Sequence, residues 1–99
     1  MLRQTSFGNM QTILENNGKP TIEFLIFEKS GRNHKHKEFE SFFVLEGEGT
    51  VYYNENIIPI RAGDLVTIPP RTLHWMEPIE GAILKGFLWY HDDKINTKN

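Results

Sequence analysis

Along the chain, β-branched and aromatic runs of four to eight residues alternate with Gly, Pro and Asn clusters. That spacing belongs to an all-β sandwich or barrel, and no long helical stripe competes with it. Gln11 to Glu15 reads as a first strand, closed by the turn residues Asn16-Asn17-Gly18-Lys19-Pro20. Thr21 to Glu28, rich in Ile, Phe and Leu, reads as a second strand, and Ser30-Gly31-Arg32-Asn33 breaks it. Phe42 to Leu45 is a continuous apolar run that Glu46-Gly47-Glu48-Gly49 is expected to turn, hairpin fashion, into Thr50 to Asn54. Ile57 to Arg61 and Leu65 to Ile68 follow, parted by Ala62-Gly63-Asp64. Pro69-Pro70 ends the latter, because proline cannot donate to a strand ladder. The last predicted strand is Ala82 to His91.

At 99 residues the chain makes one domain, read as a body with an N-terminal arm over 1–10 and a frayed polar tail over 92–99. Seven Phe, three Tyr and two Trp argue against disorder. So small a domain hides only roughly 60–65% of its unfolded surface and leans on a tight aromatic core, a metal or a partner subunit. Eleven Lys and Arg against thirteen Asp and Glu, interspersed, leave a net charge of −2. Neither nucleic acid nor an anionic membrane is therefore expected as a partner. The first fourteen residues lack the apolar stretch of a signal peptide, and no segment is apolar enough to span a bilayer. The expectation is a soluble, cytoplasmic protein. No cysteine is present, so any metal must be held by nitrogen and oxygen.

Three of the four histidines lie in two compact places, His34-Lys35-His36 and His74, and Glu40 follows the pair closely. On an extended chain His34 and His36 project to one face with Cα atoms about 6.5 Å apart, near enough to share an ion. Six extended residues would carry Glu40 about 20 Å from His34, so the chain must reverse, and Lys37-Glu38-Phe39 is the expected place. His74, after the Pro-Pro loop, would arrive from a separate strand. A solvated basic turn is the alternative for the histidine pair, since Lys35 and Lys37 interleave with it.

From Gly31 to Gly47 the order Gly, His34-x-His36, three residues, Glu40, six residues, Gly47 closely resembles the first motif of the cupin superfamily. Gly63, Pro69 and His74, at the spacing of Gly63-Asp64-Leu65-Val66-Thr67-Ile68-Pro69-Pro70-Arg71-Thr72-Leu73-His74, resemble the second. Two positions depart from the pattern: Arg71 stands where a glycine is usual, and Pro78 where an asparagine is often found. Neither removes a ligand. The resemblance implies a small antiparallel β-barrel of jelly-roll type, a double-stranded β-helix, with His34, His36, Glu40 and His74 binding one divalent metal inside an open end. Such an N₃O set suits Fe, Mn, Ni, Co, Cu or Zn and does not choose among them. It also implies a small-molecule ligand or substrate, with oxygenation or isomerisation as reaction classes, or a binding module without turnover. Cupin barrels commonly pair through their outer sheets, so a homodimer is expected, with Leu2 to Phe7 contributing.

By strand parity Phe42 and Val44 share the face of Glu40, and Met76 that of His74, which makes them candidate substrate contacts; ordinary core packing serves equally well. Arg71 is a candidate for a substrate carboxylate or phosphate at the barrel mouth, against a solvated loop arginine. Trp75 points by parity away from the ion, and Glu46 and Glu48 read as a charged hairpin edge. Tyr90 and His91 read as a solvated strand end, with a role behind the metal as the alternative. Ser30, Thr67 and Thr72 have no base at a recognisable spacing.

Overall fold

The computed structural model describes residues 2–91, and among these the chain forms nine β-strands and no helix. They are β1 (Arg3–Gln4), β2 (Gly8–Asn16), β3 (Lys19–Phe27), β4 (Phe39–Glu46), β5 (Glu48–Tyr53), β6 (Asn56–Arg61), β7 (Leu65–Ile68), β8 (His74–Pro78) and β9 (Leu84–His91). Among the described residues no helix is long and apolar enough to cross a membrane. All pairings are antiparallel, in a six-stranded sheet of order β1-β2-β3-β9-β4-β7 and a three-stranded sheet of order β6-β5-β8. The expected all-β jelly-roll barrel is the fold observed, built as two sheets facing across one core.

Period-two alternation decides which residues enter that core. From the large sheet come Leu25 and Phe27, Phe42 and Val44, Val66 and Ile68, Leu84 and Leu88; from the small one come Val51, Ile60 and Met76. Phe7 stacks on Phe27 at 4.4 Å, and Phe27 meets Phe42 edge-on at 6.1 Å. Such aromatic pairs add about 0.5–1.5 kcal/mol each beyond the area they bury.

The first strand runs further than its apolar pattern suggested, from Gly8 rather than Gln11, because its polar positions still pair with β3. Residues of the expected arm are drawn into the sheet: Arg3 pairs with Met10 and Gln4 with Asn9. Asn17 and Gly18, both at positive φ (54° and 77°), make the tight β2–β3 turn that Asn-Gly favours. The hairpin expected at 46–49 does not form. β4 is already flanked by β9 and β7, so β5 finds no free edge there and instead joins the small sheet. Gly47 carries the chain across at φ 95°, and a Cβ at that point would run into the Ile83 carbonyl. The final strand starts at Leu84, not Ala82. The tail expected over 92–99 lies outside the described residues.

Candidate metal centre

The 31–38 segment is laid along β8 by backbone hydrogen bonds. The Gly31 N–H donates to the Met76 carbonyl (2.7 Å), and His34 and His74 exchange a reciprocal pair (3.1 and 2.9 Å). The Arg71 N–H donates to the His36 carbonyl at 2.6 Å, which ties the Pro-Pro loop to the same segment. The chain bends at Lys37 and Glu38, and Phe39 already belongs to β4. That bend returns Glu40 over the histidines, as the spacing requires.

His34, His36, Glu40 and His74 each present one ligand atom, and these atoms all lie within 4.8 Å of one another. The imidazoles are oriented from behind in one way. The Nδ1 atoms of His34, His36 and His74 sit 2.7, 2.9 and 2.7 Å from the carbonyl oxygens of Arg32, Glu38 and Thr72. A carbonyl only accepts, so each Nδ1 carries the proton and each Nε2 is the free donor atom. Yet His36 Nε2 and His74 Nε2 lie 2.9 and 3.0 Å from the same Glu40 Oε1. Three lone pairs facing one another repel; the arrangement is satisfied by protons on Nε2 or by a shared cation. Glu40 and His74 are each 1% exposed. Uncompensated charges so deep would cost several kcal/mol, and one divalent cation resolves the conflict for all four groups. The residues thus fit the metal that the sequence pattern implies.

The electrostatics agree with this geometry. Burial works to raise the Glu40 carboxyl, but hydrogen bonds and charge from His36 and His74 hold it below its ordinary value. Burial works to lower His74, but the Glu40 hydrogen bond and charge, with the Thr72 carbonyl, lift it above its ordinary value. The site favours positive charge at its centre.

A cavity of about 100 Å³ opens beside this cluster, lined in part by His34, Glu40, His74 and Met76. Phe42 and Val44 are fully buried and belong to the packed interior, away from the cavity wall. Arg71 is exposed and is not part of that wall; Arg32 lies at the mouth instead. Arg71 holds a left-handed conformation, φ 58°, which explains why glycine suits the position. The Trp75 ring stacks on Tyr52 at 4.6 Å. His91 turns outward and shares a hydrogen bond with the buried Ser41 hydroxyl at 2.9 Å.

Trp75, expected to point away, also lines the cavity, and two ionisable residues join it. Tyr90, read as a solvated strand end, points inward and meets His36 edge-on at 4.8 Å. Glu23 lies on β3 in phase with Leu25 and Phe27 and is 7% exposed. The signal was present, since a lone carboxylate in register with two core residues has no ordinary packing role.

The cupin-domain profile matches residues 23–88. The chain is 35% identical over 58 residues to an acireductone dioxygenase of Aquifex aeolicus, covering 54% of this chain and 32% of that protein. It is 30% identical over 69 residues to a gentisate 1,2-dioxygenase of a Haloferax species, covering 68% of this chain and 19% of that protein. The chain therefore spans about a third and a fifth of these two curated relatives. An RmlC-like cupin from Shewanella frigidimarina superposes with a TM-score of 0.74 at 23% identity, over 95% of this chain and 86% of that one. With its two-sheet barrel, the ligand cluster at one open end and the profile running from β3 to β9, the chain belongs to the cupin domain family.

Proposed function

We propose that this cupin is a metal-dependent enzyme acting on a small oxygenated metabolite at the His34, His36, Glu40 and His74 centre. The observation that carries the reading is the convergence of four ligand atoms within 4.8 Å, with every imidazole held from behind by a backbone carbonyl. A divalent transition ion held there supplies Lewis-acid or redox chemistry to oxygen atoms of a ligand. The chain's own residues do the rest. Met10, Leu25, Phe27 and Leu88 keep water from the cavity, which strengthens every charge inside it. Burial, with the charges of Glu40, Glu23 and Glu38, pushes Tyr90 far above its ordinary value, so its phenol remains a neutral O–H donor to the cavity. Both curated relatives carry the names of dioxygenases, which favours oxygenation over the isomerase class.

Elemental analysis of protein purified without chelators tests the centre, and oxygen consumption over a panel of diols, keto acids and sugars tests the reaction. Iron with oxygen uptake supports the reading. A metal-bound protein that returns every ligand unaltered is a binding module instead.

We also propose a homodimer formed through the outer face of the large sheet, where Ile22 pairs with Trp89 and Phe24 with Phe87, all half-buried. Phe7, expected at the interface, is committed to the protein's own interior against Phe27. Light scattering at 11.6 kDa would refute the dimer.

A further inference from the structure

The cavity has two polar poles. One is the ligand cluster. The other is Glu23, which no part of that cluster requires. β9 separates β3 from β4, and Glu23 pairs with Leu88 while Glu40 pairs with Tyr90, so the two glutamates stand two strands and two residues apart, about 12 Å between Cα atoms by ordinary strand spacing. Tyr90, beside Glu40 and diagonal to Glu23, lines the same cavity. Met10, Leu25 and Leu88 make the neighbouring wall apolar. In a cavity of about 100 Å³, lined both by Glu23 and by the histidine–glutamate cluster, a small ligand held at one pole extends toward the other.

Glu23 is held in place by Arg3, whose Nη2 lies 3.2 Å from Oε2. The arginine side chain is 53% exposed, whereas the glutamate side chain is 9% exposed. A salt bridge that served only to fasten β1 would sit equally well on the solvated face, without the cost of burying a carboxylate among Leu25 and Phe27. Nor does one guanidinium contact exhaust the carboxylate, which has about four acceptor positions.

We infer that Glu23 determines ligand specificity: it accepts a hydrogen bond from a hydroxyl at the far end of a ligand whose near end is an oxygen pair at the metal centre, and it rejects a ligand whose far end is anionic. This rests on the ligand-site reading above. A ligand carboxylate facing Glu23 in a small, largely apolar cavity is repelled, the Arg3 contact offsetting only part of that charge, whereas a hydroxyl meets a carboxylate in a charge-assisted hydrogen bond.

Calorimetry on the full chain loaded with Zn²⁺, its stoichiometry checked by elemental analysis, tests the assignment with three probes sharing one chelating end. These are 2,4-dihydroxybutanoate, 2-hydroxybutanoate and malate, whose far ends are a hydroxyl, a methyl and a carboxylate. The dihydroxy probe is expected to bind about tenfold more tightly than 2-hydroxybutanoate, the size of one hydrogen bond to a charged group. Glu23→Gln, whose amide can donate, is expected to tighten malate about tenfold while 2-hydroxybutanoate stays unchanged, which also shows the variant to be folded. Arg3→Gln leaves the carboxylate without its cation and is expected to weaken malate further. Opposite effects of the two variants on malate support the inference, because a salt bridge that merely fastens β1 predicts the same effect from both. If 2-hydroxybutanoate binds but Glu23→Gln leaves malate unchanged, the Glu23 assignment falls alone. If the zinc-loaded wild type binds none of the probes, the ligand-site reading falls and this inference with it.

Discussion

The two faces of β3, β9 and β4 invert the usual rule for a half-solvated sheet. Inward, near the open end, stand Glu23, Tyr90 and Glu40; outward, on the same strands, stand Ile22, Phe24, Phe87 and Trp89. Deeper in the barrel the inner face returns to Leu25, Phe42, Val44 and Leu84, an ordinary core. The contrast teaches that this sheet spends its inner positions near the cavity on ionisable groups that converge there, and leaves its aromatic groups half-buried on the other face.

The strongest way to break this comparison is to remove a ligand from the inner face. His74→Ala is expected to lower metal affinity about 100-fold or more, read as metal content after dialysis, since each ligand carries a large share of the total binding energy. Retained metal would show that the polar interior serves something else. Next in size is Gly86→Ala in the ordinary core, on β9. A methyl there would run into the Phe43 carbonyl and the Phe42 ring, so a loss of about 2 kcal/mol in denaturant unfolding is expected.

On the outer face, Trp89→Lys is expected to abolish the proposed dimer in light scattering while metal content is unchanged. Loss of metal with the dimer would mean that the two faces are not independent.

A pH titration separates metal-free from metal-loaded protein. His74 lies above its ordinary value in the fold, so the stability it contributes is full below about pH 6.5 and is lost as pH climbs through the raised value. Glu40 lies below its ordinary value, so its contribution is present above about pH 4.5 and is lost as pH falls through the lowered one. Thermal melting of chelated protein should therefore be highest between about pH 4.5 and 6.5 and decline as pH climbs through the raised His74 value. Metal binding needs neutral imidazoles, so the loaded protein should gain stability over the same alkaline interval. Parallel curves would argue against histidine ligation.

The smallest effect is expected at the mouth. Arg71→Gly relieves a left-handed conformation worth about 1 kcal/mol but adds unfolded-state freedom, leaving a net gain of at most about 0.5 kcal/mol. A marked loss of ligand affinity in that variant would return Arg71 to the site.

Much of this molecule was legible without coordinates. Strand alternation, the Asn17-Gly18 turn and the absence of helical periodicity are local properties, set by steric preference and side-chain parity, and they specify an all-β chain. The order and spacing of His34, His36, Glu40 and His74, with the glycines and proline between them, carry the resemblance to the cupin motifs, and through that resemblance the candidate ligand set was legible. Which strand lies beside which could not be counted. β5 leaves β4 for the other sheet because both edges of β4 are taken, a fact about partners far away in sequence. Only that arrangement turns Tyr90 and Glu23 toward Glu40, removes Phe42 and Val44 from the cavity wall, and leaves Arg71 outside. Parity tells which residues share a face, and tertiary pairing alone decides what that face encloses.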